Sequence, residues 1–253
     1  MSLRATLGLV AAALAFVLLV GLGVWQLERR AEKHALIARI EARIDQPPIA
    51  LPPRADWSAA MVAEFDYRPV TARVRFLPRD VLAYTIVSEP RGGRYSGPGY
   101  WVLTPAEVEG GGIVIVNRGF VPEAPKLRDQ RTPPPTEVIA LSAVLRQPEA
   151  ANPFTPAPDA RAGILFLRDP AAAAAMLGLD AVAPFTLDLV APRPASGLPQ
   201  GGETRLAFYD RHLEYALTWF GLAASLLAVL GALWWRRRAS AALPAPASGA
   251  KLP

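Results

Sequence analysis

The sequence predicts a membrane protein with two transmembrane α-helices flanking a β-rich α+β extracytoplasmic domain, built as a sandwich or partial barrel. Three observations predict this. Two apolar runs stand at opposite ends of the 253-residue chain. Short segments between them alternate apolar and polar residues with period two. Most of the 26 prolines punctuate that middle region, as turns between strands require. A chain of this length holds one domain of ordinary size plus two spans.

The first run, Ala5 to Leu27, contains no charged residue. About 20 apolar residues cross a hydrocarbon core of roughly 30 Å, so this run suffices. Trp25 sits where an interfacial anchor belongs. A cleaved signal peptide has an apolar stretch of only about 7–15 residues, so the run reads as a retained anchor. The second run, Tyr215 to Trp235, ends in two tryptophans and then Arg236-Arg237-Arg238, a stop-transfer pattern with a cytoplasmic exit. Its small residues, among them Gly221, Ala224, Ser225 and Ala228, either let another helix approach or simply make the span alanine-rich. Arg29, Arg30, Lys33, Arg39 and Arg43 follow the first run and oppose the positive-inside rule. A long loop translocates regardless of such charge. The expected topology is therefore multi-pass, both termini cytoplasmic and the central domain outside. The expected divisions are spans 5–27 and 212–235, a central segment 28–211, and a disordered tail 236–253 rich in Ala and Pro.

Between the spans, residues 28–45 have helical spacing with Leu36, Ile37, Ile40 and Ile44 on one stripe, a helix that continues the first span and packs on the domain. Pro47-Pro48 and Pro52-Pro53 end it. Val70, Ala72, Val74 and Phe76 alternate with Thr71, Arg73 and Arg75 as a half-buried strand. Val81 to Val87 is expected to pair with it across a turn at Pro78-Arg79-Asp80. Tyr100 to Leu103 and Ile113 to Val116 form a second expected pair around Gly110-Gly111-Gly112. Val138 to Leu145, Ile164 to Leu167 and Phe185 to Val190 complete the strands. Asp169 as N-cap, Pro170 at N1 and Gly178 near the C-cap predict a helix over 170–177.

Composition excludes several chemistries. With no cysteine, neither disulfides nor thiolate metal sites can form. The net charge of +5 lies largely beside the spans, where it suits lipid head groups; no basic patch is interleaved with base-stacking aromatics, so no nucleic-acid partner is expected. No G-x-S-x-G elbow presents a nucleophile, and Gly21-Leu22-Gly23 lies in an apolar span without a phosphate-binding fingerprint. The chain is expected not to be an enzyme.

Two histidines remain, and His34 reads as a solvated residue of the juxtamembrane helix. His212 stands at the mouth of the second span with Tyr215 and Trp219 on its helical face at i+3 and i+7. It is either an axial ligand to haem iron with aromatic neighbours over the porphyrin, or an interfacial histidine that caps helix hydrogen bonds or touches head groups. Arg118, directly after an apolar strand in Asn117-Arg118-Gly119, either binds a carboxylate such as a haem propionate or braces loop carbonyls beside a bend at Gly119.

Five motifs occur in order. They are Gly23-x-Trp25-Gln26-x-x-Arg29, Tyr67-Arg68-Pro69-Val70, Gly97-x-Gly99-Tyr100, the run Val116 to Pro122, and His212 to Ala223. Together, bracketed by two spans, they resemble the surfeit locus protein 1 family of cytochrome c oxidase assembly factors. The resemblance implies a membrane-anchored factor that supports maturation of oxidase subunit I at the haem a stage. It implies haem a as a transient cofactor, with His212 as the metal ligand and Tyr215, Trp219 and Arg118 as cofactor-binding residues. The implied partners are cytochrome c oxidase subunit I, haem a synthase and the lipid bilayer. A membrane chaperone for subunit I that never touches haem is the alternative. The sequence departs from the family pattern at Asp210-Arg211, where asparagines are usual, and at Glu214, where glutamine is common.

Overall fold

The computed structural model describes residues 3–91, 93–204 and 210–241. They fall into two compact units, one of residues 3–38 with 210–241 and one of residues 39–204. Most of the predicted tail, 242–253, lies outside the described residues.

The first unit contains two helices long and apolar enough to cross a membrane. α1 runs Leu3–Ile44 without a break, so the first apolar run and the juxtamembrane segment are one helix. α5 runs His212–Ala241. Their apolar side chains face outward: Leu14, Val17, Leu18, Leu217 and Val229 are exposed, the reverse of a soluble core helix. Near the end of α5 the Arg238 guanidinium lies 4.1 Å from the centre of the Trp234 ring, an amphipathic pairing suited to a membrane surface.

The second unit is a partial barrel. Its strands are β1 Ile49–Ala50, β2 Pro69–Phe76, β3 Val81–Val87, β4 Gly97–Val108, β5 Ile113–Pro122, β6 Val138–Arg146, β7 Ile164–Leu165 and β8 Thr186–Ala191. The sheet order is β1-β2-β6-β8-β5-β4-β3-β7, and an additional β2–β4 pairing closes five of the strands on themselves. Period-two alternation explains the closure. Val70, Val74 and Phe76 of β2 meet Leu141, Ala143 and Leu145 of β6, Leu187 and Leu189 of β8, Val114 and Val116 of β5, and Ala106 of β4 in one interior. Helix α2, Ala59–Phe65, contributes Met61 and Val62 to that interior; its N-cap is Ser58, whose Oγ accepts the Met61 N–H at 3.2 Å. On the outer face, Trp101, Leu103, Ile115 and Phe120 pack with Val81, Ala83 and Val87 beneath helix α4, Pro170–Leu177. Phe120 and Phe185 are fully buried, and each such side chain contributes about 1.5–3 kcal/mol.

Two sequence expectations need correction. β3 pairs antiparallel with β4 over Gly97–Leu103, not with β2. The reason is the length of β4, which offers one edge to both: residues 97–103 take β3 and Ala106–Val108 take β2. The Pro78-Arg79-Asp80 segment is thus a crossing along β4 and not a hairpin turn. It is tied down by Thr104 Oγ1, which donates to Asp80 Oδ1 at 2.6 Å. The second correction concerns Asn117-Arg118-Gly119, which lies within β5 and not after a strand. The register with β4 shifts there, between Trp101 and Leu103, so the motif forms a bulge. Gly119 takes φ +131°, and a Cβ on it would run into the Gln200 carbonyl.

The segment Pro192–Gly202 is partly woven into the sheet. Gln200 exchanges backbone hydrogen bonds with Phe120 at 2.8 and 2.9 Å, and its side chain bonds both the N–H and the carbonyl of Tyr95. Beside the barrel lies a buried charge cluster. Asp188 accepts from Arg168 Nη1 at 2.8 and 2.9 Å, from Asn117 Nδ2 at 3.1 Å and from Thr204 Oγ1 at 3.1 Å. Arg146 pairs Asp66 at 3.2 Å and donates to the Tyr67 hydroxyl at 2.9 Å. Desolvation is the main reason the Tyr67 hydroxyl titrates above the ordinary phenol range; nearby Arg146 opposes it.

Candidate functional site

The head of α5 is fixed by residues of α1. Asp210 Oδ1 accepts the backbone N–H of His212 at 2.9 Å, giving the helix a carboxylate at its start. Asp210 Oδ2 lies 2.9 Å from His34 Nε2 and 3.8 Å from Arg30 Nε. The His212 ring is held separately, Nδ1 standing 2.7 Å from Gln26 Oε1. One turn further along, a Cβ on Gly23 would meet the Phe220 ring at 2.5 Å, so glycine is what lets that ring seat against α1. Gly23, Gln26, Arg30 and His34 follow at intervals of three, four and four residues, one stripe of a 3.6-residue helix. The same stripe of α1 therefore meets the first turns of α5 through Phe220, His212 and Asp210. The N–H of His212 is the main reason the Asp210 carboxyl titrates below the ordinary range; slight desolvation opposes this, and His34 adds to the lowering.

His212, Tyr215 and Trp219 share one face of α5 by spacing. Tyr215 is exposed, whereas Trp219 is half-buried and its Nε1 is buried without a hydrogen-bond partner among the described residues. Arg118 belongs to the barrel and is braced there. Its Nη2 donates to the Thr132 carbonyl at 2.7 Å and its guanidinium lies 5.8 Å from the Phe76 ring centre. Burial lowers its pKa from the usual guanidinium value, partly offset by Asp80. The side chain of Asn117 bridges Asp188 and the Gly119 N–H. His34 is not merely solvated, since it pairs Asp210 while remaining exposed.

The described residues offer no group of three or more His, Asp or Glu that could hold a bare metal ion. An iron that brings its own porphyrin nitrogens needs only an axial ligand. His212 suits that need: one ring nitrogen is committed to Gln26, and no partner is found for the other among the described residues. Two residues that position His212 carried no assigned role at the sequence level. Gln26 stood within a motif, and Asp210 stood out only as a departure from the family pattern. The signal that locates them is the stripe spacing on α1, which shows its meaning only once the partner helix is in place.

The chain is similar to characterised proteins along most of its length. The sequence profile of the SURF1 family matches residues 13–224. A SURF1-like protein of Drosophila melanogaster is 35% identical over 237 residues, covering 86% of this chain and 73% of that one. Surfeit locus protein 1 of Rattus norvegicus is 33% identical over 230 residues, covering 86% and 71%. The Homo sapiens protein of the same name is 32% identical over 234 residues, covering 86% and 73%. The matched segment takes in the first apolar run from residue 13 onward, the whole barrel, and α5 as far as the turn after Phe220. With its five ordered motifs, two apolar helices and intervening β-rich unit, this chain belongs to the SURF1 family.

Proposed function

We propose that this chain is an assembly factor for haem-copper cytochrome c oxidase, acting at the maturation of subunit I by binding haem a and handing it over. Family membership supports the assembly role. The observation that carries the haem part is His212, held at the head of α5 by Gln26 with its second ring nitrogen uncommitted among the described residues. Haem, when bound, would supply an iron centre able to accept a nitrogen donor. His212 would hold the iron, and Tyr215 and Trp219, on the same helix face, would contact the porphyrin. Arg118 enters as a brace of β5 and not as a clamp on a propionate, because the residue is 4% exposed and its Nη2 is bonded to the Thr132 carbonyl. The chain works in this reading without catalysis, in a bacterial inner membrane with both termini cytoplasmic. Subunit I and haem a synthase are its partners.

A second reading is a chaperone for subunit I that does not bind haem. One observation favours it: the contacts of His212 with Gln26 and Asp210 already give the residue a structural use in aligning α5 with α1. Gene deletion with complementation tests both. Deletion is expected to abolish cytochrome c oxidase activity while other respiratory enzymes persist. Complementation by His212→Asn, whose amide can still donate to Gln26 but offers iron no imidazole, is expected to restore little of it if haem is handled, and most of it under the chaperone reading. Normal oxidase activity after deletion would contradict both.

A further inference from the structure

A histidine can offer either ring nitrogen to a metal, and the partner of the other nitrogen decides which. In this chain the partner of His212 Nδ1 is the oxygen of Gln26, at 2.7 Å. An amide oxygen only accepts, so the ring supplies the hydrogen of this bond. A neutral imidazole protonated at Nδ1 carries its lone pair on Nε2, the nitrogen for which no partner is found among the described residues. The main chain of His212 is fixed by Asp210 and not by Gln26, so the two constraints separate. Backbone position comes from Asp210, ring tautomer and direction from Gln26.

We infer that Gln26 is the positioning residue of the site, fixing His212 as the Nδ1–H tautomer and presenting Nε2 as the ligating lone pair. This rests on the reading of His212 as a haem ligand. The site is then a product of both apolar helices, since the ligand stands on α5 and its orienting acceptor on α1. Gly23, three residues before Gln26, gives the Phe220 ring its seat and so sets the approach that the 2.7 Å bond requires. The choice of an amide also has a chemical sense. A carboxylate at this position would pull harder on the Nδ1 proton and make the imidazole a stronger donor to iron. An amide orients without that gain, which suits a site that must release its cargo.

The test uses the full chain in detergent, labelled with ¹⁵N-histidine, at a pH well above the imidazole range. The chain has two histidines, so the signals lost in His212→Gln identify the ring. Wild type and Gln26→Glu are expected to show a protonated Nδ1 and a bare Nε2 at His212. Gln26→Leu is expected to lose that preference while the His212 amide keeps its Asp210-bonded shift, which shows that the helix start is intact. An Nε2–H tautomer in the wild type, or an unchanged tautomer in Gln26→Leu, overturns the inference. A parallel haem titration is expected to show affinity roughly 10–100-fold weaker in Gln26→Leu and tighter than wild type in Gln26→Glu. A wild type that takes up no haem defeats the ligand reading, and the tautomer measurement then judges the role of Gln26 separately.

Discussion

At the scale of single residues, the largest energetic stakes lie in the charge cluster beside the barrel. Burial works against the charge on Arg168, yet Asp188 and Glu149 more than offset it and raise its pKa. Removing one partner of such a pair leaves an uncompensated buried charge. Asp188→Asn is therefore expected to destabilise the fold by about 3–5 kcal/mol in denaturant unfolding followed by tryptophan fluorescence. Gly119→Ala should cost at least about 2 kcal/mol in the same assay, since the strained φ and the collision with a backbone carbonyl cannot both be relieved. Asp210 makes a pH prediction. Its carboxyl titrates lower in the folded chain than in the unfolded one, so its contribution is present above the usual carboxylate pKa and fades as pH falls through the depressed value. The His212 amide signal should therefore shift at acid pH, below where a free aspartate titrates. Asp210→Asn should abolish that titration.

At the scale of elements, caps and alternation made much of the barrel legible in advance. Asp169 Oδ1 accepts the Ala171 N–H at 2.9 Å and Gly178 closes α4 in the left-handed conformation, as residue types at these spacings require. Gly178→Ala is expected to lower stability by about 1 kcal/mol in thermal unfolding. Strand positions were readable because Val, Ile, Leu and Phe recur with period two. Partners were not, because periodicity reports which face of a strand is buried and nothing about the neighbour it bonds. That is why β3 was placed beside β2, when a 12-residue β4 stands between the two choices. The short elements β1, α2 and the five-residue helix α3, Pro125–Asp129, were also missed, being too brief to show a period. Between the apolar helices, the contact of Gly23 with Phe220 gives a coupled prediction. Gly23→Val should weaken haem retention and lower thermal stability, and Phe220→Ala added to it should recover part of both, because the obstacle is a side chain.

At the scale of the whole molecule, the order of apolar helix, β-rich unit and apolar helix could be read from hydropathy and alternation alone. The candidate site was legible only in half. His212 announced itself as a histidine at the mouth of a span, whereas Gln26 lies 186 positions away and gains its meaning from helix approach. Topology is testable on a clean background, as the chain lacks cysteine. A cysteine replacing Phe154, which is 92% exposed, should react with a membrane-impermeant maleimide in intact spheroplasts. One replacing Arg238 should react only after lysis. The reverse pattern would overturn the proposed orientation. The central claim, that the head of α5 takes haem a through His212, is tested most directly by the visible spectrum of detergent-purified protein after co-expression with haem a synthesis. A haem a spectrum in the wild type that is lost or shifted in His212→Ala is the predicted result. A colourless wild type, or an identical spectrum in the variant, would contradict it.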